Sequence, residues 1–218
     1  MVRIKICCIR SQEEAEIVQR GGADAMGLIS WMPSGDRFLS DRQIHDLAAA
    51  SPNVERFLLT CKTNPDEIRR QVLDAGTDTV LLVERMTKTD LERLRVKLPG
   101  VSLVQVVHVT GPAALQEALD VERHVDFILL DSGNPEGPDR TLGGTGNVHD
   151  WKVSREIVRA VRCPVYLAGG LGPDNVAEAI AEVQPFGVDV CSRLRPQGSL
   201  DEGLLTQFLH AARDGHAA

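Results

Sequence analysis

The 218-residue sequence lacks the features by which several protein classes are recognised. Its aromatic content is low, with two Trp, one Tyr and five Phe, and no apolar run approaches the roughly 18 residues that a membrane helix needs. Met1-Val2-Arg3 leads straight into an apolar segment, without the charged and apolar regions of a secretory leader. We therefore expect a cytoplasmic protein with no membrane partner.

Positive charge is also scarce. The chain has 24 Lys and Arg against 31 Asp and Glu, which gives a net charge of −7. The basic residues are scattered among carboxylates and form no stripe with interleaved aromatics, which argues against a nucleic-acid partner. An anionic ligand must therefore be held by a local feature of the chain, since the overall field repels it.

Metal and nucleotide motifs are absent from the sequence. The histidines do not have the spacing of metal ligands, and no Gly-x-x-x-x-Gly-Lys-Ser/Thr loop occurs, so we expect neither a metal nor a cofactor. The five cysteines include no Cys-x-x-Cys pair and lie in apolar, strand-like contexts, which suits a reducing compartment. The sequence leaves open whether Cys7 and Cys8 form a disulfide.

Short apolar runs alternate with longer amphipathic segments eight times along the chain. Most of these runs are almost continuously apolar, which is typical of parallel strands buried on both faces. The predicted strands are residues 3–9, 25–30, 55–61, 79–84, 102–109, 126–132, 164–170 and 187–192.

Helix boundaries are marked at several places between these strands. Ser11 opens the first helix like a capping box and Gly21-Gly22 closes it, while Asn64-Pro65 opens the third and Gly76 ends it. Pro173-Asp174 is predicted to start the seventh helix, and residues 200–212 form the last.

Eight units in 218 residues leave about 27 residues for each, near the minimum for a strand, a helix and two short loops. An open doubly wound sheet also alternates strands and helices, but it usually has fewer strands. We therefore predict an α/β protein with a single (β/α)8 barrel over residues 1–218, in which residues 214–218 form a frayed tail.

A barrel places function at the C-terminal ends of its strands, and phosphate commonly binds after strands seven and eight. Gly169 and Gly170 follow strand seven, where bare backbone N–H groups could approach an anion closely. The alternative is a plain glycine-rich turn. The connection over residues 132–150 is too long for a simple loop and is predicted to be a mobile lid.

Two candidate catalytic groups stand at the predicted barrel mouth. Cys7 follows strand one and could be a base or nucleophile if its pKa were lowered, although a cysteine in an apolar strand is more often an inert core residue. Asp131 ends strand six and could be an acid, or it could simply cap a loop.

The chain resembles the phosphoribosylanthranilate isomerase family along its whole length. No single motif is decisive, but the ordered set is specific. The motifs are Lys5-Ile6-Cys7, Gly22-Ala23-Asp24-Ala25-Met26-Gly27, Arg37-Phe38-Leu39-Ser40, Leu129-Leu130-Asp131, Gly143-Gly144-Thr145-Gly146, Asp150-Trp151, Leu167-Ala168-Gly169-Gly170-Leu171 and Gly187-Val188-Asp189-Val190.

The resemblance implies an isomerase of tryptophan biosynthesis that performs an Amadori rearrangement of N-(5-phosphoribosyl)anthranilate. Cys7 would be the general base, Asp131 the general acid, and Arg37 would bind the anthranilate carboxylate. Burial should raise the pKa of Asp131, whereas the base should ionise readily. The resemblance also implies substrate-binding residues, which are Gly143, Gly144, Gly169, Gly170, Ser192 and Arg193.

The chain departs from the family pattern at several places around the predicted pocket. Cys8 replaces a glycine, and Glu84-Arg85 stands where the family has Gln-Leu-His-Gly. His149 replaces a phenylalanine, and we expect it to be either a solvated loop residue or an extra titrating group. Strand eight ends in Cys191-Ser192-Arg193-Leu194-Arg195 instead of Ser-Ser-Gly-Val-Glu, so Arg193 and Arg195 could supply positive charge to a phosphate.

These departures keep a second hypothesis open. The chain could be a divergent paralogue that binds or isomerises a different phosphorylated sugar conjugate. In either case we expect a small-molecule phosphorylated substrate and a monomer or homodimer. A scaffold role has little support, because the sequence has no repeat array and no extended apolar surface motif.

Overall fold

Eight parallel strands close into a barrel in the computed structural model, which describes residues 1–33, 38–133 and 148–215. Each strand pairs with the next one along the chain, and β8 pairs with β1. The strands are β1 (Arg3–Ile6), β2 (Ala25–Ile29), β3 (Glu55–Thr60), β4 (Thr79–Leu82), β5 (Ser102–His108), β6 (Phe127–Asp131), β7 (Val165–Leu167) and β8 (Gly187–Val190).

One α-helix follows each strand, as the alternation of the sequence predicts. The helices are α1 (Gln12–Gly21), α2 (Asp41–Ala49), α3 (Pro65–Ala75), α4 (Lys88–Lys97), α5 (Ala113–Val121), α6 (Trp151–Ala160), α7 (Val176–Val183) and α8 (Glu202–Asp214). A short 3-10 turn, Ser192–Leu194, lies between β8 and α8. The predicted (β/α)8 fold is thereby confirmed.

The predicted helix ends are produced by side-chain caps and by glycine. The Ser11 hydroxyl accepts a hydrogen bond from the Glu14 N–H, and Asn64 accepts hydrogen bonds at the start of α3, where Pro65 occupies the first turn. Gly22 and Gly76 end α1 and α3 with φ of +73° and +65°, a backbone region that favours glycine.

Two helices begin two or three residues later than predicted. Asn175 holds residues 173–175 in a turn, because its side-chain oxygen accepts the Gly172 N–H, so that α7 begins at Val176. The Asp201 side chain accepts from the Leu204 N–H and thereby sets the start of α8. Asp214, predicted to begin a frayed tail, is the last residue of α8, and residues 216–218 lie outside the described residues.

Every strand ends earlier than its predicted C-terminal boundary. Single backbone hydrogen bonds continue past some strand ends, as from the Cys7 N–H to the Val190 carbonyl, but Cys7 and Gly169 lie just beyond the bounds of β1 and β7. Apolar side chains fill two regions, one between the strands and the helices and a smaller one on the alternate, inward-facing strand positions. This packing fixes the strand ends on which a site can be built.

None of the helices in the described ranges is long and apolar enough to span a membrane.

Candidate active site

The Cys7 thiol lies beside a lysine ammonium at the mouth of the barrel. Cys7 follows β1 directly and is buried. A Cβ atom added to Gly27 of the neighbouring strand β2 would stand 2.8 Å from Cys7 Sγ and 3.1 Å from Lys5 Nζ. Cys7 Sγ and Lys5 Nζ therefore both lie close to the backbone of Gly27. A side chain at this position would collide with the Cys7 sulfur, so glycine is required.

Lys5 is fully buried and paired with a carboxylate of the last strand. Its Nζ lies 2.9 Å from Asp189 Oδ1, and the two residues are register partners between β1 and β8. Lys5 and Asp189 fall within family motifs, but the sequence predicts no role for either residue. The available signal was a charged residue at an inward-facing position of an apolar strand, which occurs in both β1 and β8.

Burial controls the ionisation of this cluster. It raises the pKa of the Cys7 thiol to about 11, and the nearby Lys5 ammonium only partly offsets it. The expectation that the Cys7 thiol ionises readily is therefore wrong for this structure. Burial alone would lower the pKa of Lys5, but Asp189 and Cys7 outweigh it and raise that pKa above its ordinary value.

Asp131, the last residue of β6, belongs to the same cluster. Its Oδ1 accepts the Ser132 N–H at 2.7 Å. Burial raises the pKa of Asp131, as predicted, while the Ser132 N–H and the charge of Lys5 oppose the shift. Lys5 thus influences the ionisation of both Asp131 and Cys7.

The turn after β7 has the backbone geometry of a glycine-dependent loop. Gly169 and Gly170 have φ of +83° and +65°. A Cβ on Gly169 would stand 2.8 Å from Ser132 Oγ and 2.9 Å from His149 Nδ1. The Gly170 carbonyl accepts a hydrogen bond from Asn175 Nδ2 at 3.0 Å, which fixes the turn ahead of α7.

Ser192 and Arg193 follow β8, and Arg193 lies against this turn. Arg193 Nη1 donates to the Gly170 carbonyl at 3.2 Å, and Nη2 lies 2.7 Å from Asp174 Oδ2. The hydrogen bond from Arg193 holds the pKa of Asp174 below its ordinary value. The structure thus places a guanidinium beside Gly170. The residue that carries it, Arg193, stands where the family pattern has a glycine.

Arg195 does not supply charge to this turn, and that expectation is wrong. It is buried, with Nη1 2.6 Å from Glu14 Oε1, and its Nη2 donates to the Cys7 carbonyl at 3.3 Å. Glu14 also accepts the N–H groups of Arg10 and Leu200. Arg195 therefore joins the β8–α8 connection to α1 and to the residue that follows β1.

A disulfide joins Cys8 to Cys191 across the same seam. The cysteine pattern was expected to suit a reducing compartment, whereas the structure contains this bond and leaves Cys7 outside any disulfide. Cys8 has φ of +64°, the left-handed region that explains a glycine at this position in the family pattern. Sequence spacing could not reveal the pairing, because 183 residues separate the two cysteines.

His149 is not the solvated loop residue that the sequence predicts. Its Nε2 lies 2.7 Å from Ser154 Oγ, and burial lowers the pKa of the imidazole to about 4, so the ring is neutral near pH 7.

Glu84-Arg85, expected to replace a polar wall of the pocket, follows β4. Arg85 is mostly exposed, with its Nε 3.9 Å from Glu117 Oε1 of α5, and the Glu84 carbonyl accepts from Gln105 Nε2.

Three predicted binding residues lie outside the described residues. These are Arg37, Gly143 and Gly144, and most of the predicted lid over residues 132–150 lies there as well. Within the described ranges, His, Cys, Asp and Glu side chains form no group of three that could hold a metal ion.

Comparisons with known proteins agree with this barrel over its whole length. The family model of N-(5′-phosphoribosyl)anthranilate (PRA) isomerase matches residues 4–211. The chain is 37% identical over 221 residues to the N-(5′-phosphoribosyl)anthranilate isomerase of Haloferax volcanii, a match that covers 100% of this chain and 96% of the relative.

Solved structures give the same result. The chain is similar to phosphoribosyl anthranilate isomerase from Thermotoga maritima, with a TM-score of 0.85, 28% identity and coverage of 98% of this chain and 100% of that one. It is also similar to a phosphoribosyl anthranilate isomerase in complex with reduced 1-(o-carboxyphenylamino)-1-deoxyribulose 5-phosphate, with a TM-score of 0.82, 25% identity and coverage of 98% and 100%. The chain therefore belongs to the N-(5′-phosphoribosyl)anthranilate isomerase family.

Proposed function

We propose that this protein isomerises N-(5′-phosphoribosyl)anthranilate to 1-(o-carboxyphenylamino)-1-deoxyribulose 5-phosphate in tryptophan biosynthesis, with Asp131 as general acid and Cys7 as general base. The assignment is supported by the position of Asp131 and Cys7 at the ends of β6 and β1 and by the influence of the buried Lys5 ammonium on the ionisation of both. A barrel of this kind performs its chemistry at that end of its strands.

Asp131 acts first. Its raised pKa keeps a proton on the carboxyl at a pH where an exposed aspartate has lost it. The acid gives this proton to the ribose ring oxygen while the bond from that oxygen to C1′ breaks. The anthranilate nitrogen lone pair forms the C=N bond, which leaves an open-chain Schiff base with a positive charge on nitrogen.

Cys7 then removes the proton from C2′. The electron pair of that C–H bond forms the C1′–C2′ double bond and neutralises the nitrogen, which gives an enolamine that relaxes to the ketone. A thiol with a pKa of about 11 is ionised in only about one molecule in 10⁴ at pH 7. The positive Schiff base next to the sulfur favours the thiolate, so the first step assists the second.

The glycine turn after β7 and arginine side chains would bind the substrate. Gly169 and Gly170 would give backbone N–H groups to the substrate phosphate, with Arg193 beside Gly170. Ser192 would bind the same phosphate, a role that rests on the family resemblance. Arg37 would bind the anthranilate carboxylate, and Gly143 and Gly144 would cover the substrate; these three roles rest on the family resemblance. We further propose a cytoplasmic protein that is a monomer or a homodimer.

A second candidate function is supported by residues around the mouth that depart from the family pattern. The Cys8–Cys191 disulfide, the half-buried His149 and the Arg193–Asp174 pair alter the surroundings of the proposed phosphate site. A divergent paralogue with the same acid and base would act on a different phosphorylated sugar conjugate.

The experiment is a turnover assay with the purified protein. Loss of phosphoribosylanthranilate fluorescence is followed for the wild type and for Cys7→Ser and Asp131→Asn, which should each lose about 10²–10⁴-fold in kcat. Cys163→Ser is the matched control, because Cys163 precedes β7 at the opposite end of the barrel and should keep full activity. Absent wild-type turnover together with binding of another sugar phosphate would favour the paralogue.

A further inference from the structure

Two opposite charges are buried inside the barrel, and the proposed acid and base steps leave them unused. Lys5 is 0% exposed and Asp189 is 9% exposed. Burying a charged pair costs several kcal/mol per ion before any attraction is regained, and apolar residues of similar size would pack at these positions without that cost. Pure packing therefore does not explain the pair.

The surroundings fix the ammonium at one place. Asp189 holds Nζ at 2.9 Å across the β1–β8 register, and the Phe57 ring lies under it at 5.4 Å from Nζ to the ring centroid. The bare backbone of Gly27 leaves room for both Nζ and the Cys7 sulfur. Lys5 and Cys7 stand two residues apart on one strand line, so both side chains point inward.

We propose that Lys5 and Asp189 form a positioning pair for Cys7: the ammonium stabilises the negative charge on the Cys7 sulfur, and the Asp189 oxygen holds that ammonium in place beside the sulfur. Lys5 and Asp189 act through Cys7 and do not exchange protons with the substrate. The inference rests on the proposed function, because it assumes that Cys7 is the base.

The charged groups around Cys7 have opposite effects on the stability of its thiolate. Lys5 favours the thiolate and Asp189 opposes it, with the effect of Lys5 the larger of the two. Asp131 on β6 interacts with both members of the pair, and Arg195 reaches the Cys7 carbonyl. Removing the cation and removing the anion should therefore change the thiol in opposite directions.

The test measures the alkylation rate of Cys7 by iodoacetamide at a fixed pH below its pKa, by peptide mass spectrometry, in a background with Cys61 and Cys163 replaced by serine. Because only the thiolate reacts, the rate reports the thiolate fraction. Lys5→Met should slow the reaction about tenfold or more, since an adjacent opposite charge shifts a pKa by about 1–3 units. Asp189→Asn should accelerate it, because the amide oxygen can still accept from Lys5 Nζ while the negative charge that opposes the thiolate is gone.

Opposite changes of the alkylation rate in the two variants distinguish an effect of charge from a loss of structure. A merely structural role would loosen the barrel in both variants and accelerate alkylation in both, and that result overturns the proposal, as does an unchanged rate in Lys5→Met. The double variant Lys5→Met/Asp189→Asn carries no unpaired buried charge, so it keeps the test valid if a single variant fails to fold. It should react more slowly than the wild type.

The result of the alkylation test can be distinguished from the result of the turnover assay that tests the proposed function. If Cys7→Ser abolishes turnover while Lys5→Met leaves the alkylation rate unchanged, the positioning pair fails and the general base stands. If the alkylation rates shift with opposite signs while Cys7→Ser keeps full turnover, the base assignment fails and the charge coupling stands.

Discussion

Replacing Arg195 by methionine should destabilise the barrel where its first and last units meet. The guanidinium is fully buried and holds Glu14, whose side chain is 10% exposed, at 2.6 Å and 3.1 Å. In Arg195→Met the carboxylate keeps only the N–H groups of Arg10 and Leu200. Breaking one side of a buried pair costs about 3–5 kcal/mol, a large share of the roughly 5–15 kcal/mol that stabilises a typical domain.

Urea unfolding at neutral pH measures this cost, and a double-mutant cycle assigns it. Glu14→Gln/Arg195→Met removes both charges and should recover most of the lost stability, because no buried ion is left unpaired. A loss below about 1 kcal/mol in Arg195→Met, which is the scale of an exposed pair, would refute the reasoning. A double variant less stable than either single variant would refute it as well.

The pH dependence of stability gives a second readout. Burial by itself would raise the pKa of Glu14, but hydrogen bonds from Arg195 and Leu200 outweigh burial and hold that pKa below its ordinary value. A lowered pKa in the folded state stabilises above the unfolded pKa, and this stabilisation is lost as the pH falls through the folded pKa. Arg195→Met should move that loss to higher pH.

Three further predictions concern the barrel mouth. A dithiol that reduces Cys8–Cys191 should lower the free energy of unfolding by about 2–5 kcal/mol and leave a Cys8→Gly/Cys191→Ser variant unaffected; an equal loss in both would contradict a stabilising disulfide. Turnover should fall as the pH rises through the raised pKa of Asp131, because the acid must carry its proton; a fall centred at the ordinary aspartate value would contradict this. Gly169→Ala should raise the substrate KM, whereas Gly100→Ala, at a similar φ of +85° but in open space, should change stability alone; equal KM effects would contradict a phosphate site at this turn.

The sequence predicted the parts of the fold that depend on local patterns. Alternating apolar runs located all eight strands, and the side chains of Ser11 and Asn64 marked helix starts where the structure has them. Strand ends and the start of α7 were misplaced, because the turn at Asn175 depends on a side-chain hydrogen bond to Gly172 that no periodicity shows.

The errors in the site come from contacts between residues far apart in the chain. Lys5 meets Asp189 across a separation of 184 residues, and Arg195 meets Glu14 across 181. Whether an arginine faces a phosphate or a buried glutamate is decided by these contacts. The ionisation of Cys7 was mispredicted for the same reason, since the degree of burial is a property of the closed barrel.

The division of labour between Asp131 and Cys7 can be tested directly with phosphoribosylanthranilate deuterated at C2′ in single-turnover experiments. Cys7→Ser should be slow and strongly sensitive to the label, because removal of the C2′ proton limits its rate. Asp131→Asn should be slow and insensitive to the label, because ring opening limits its rate. A label effect in Asp131→Asn and none in Cys7→Ser would contradict the assignment of acid and base.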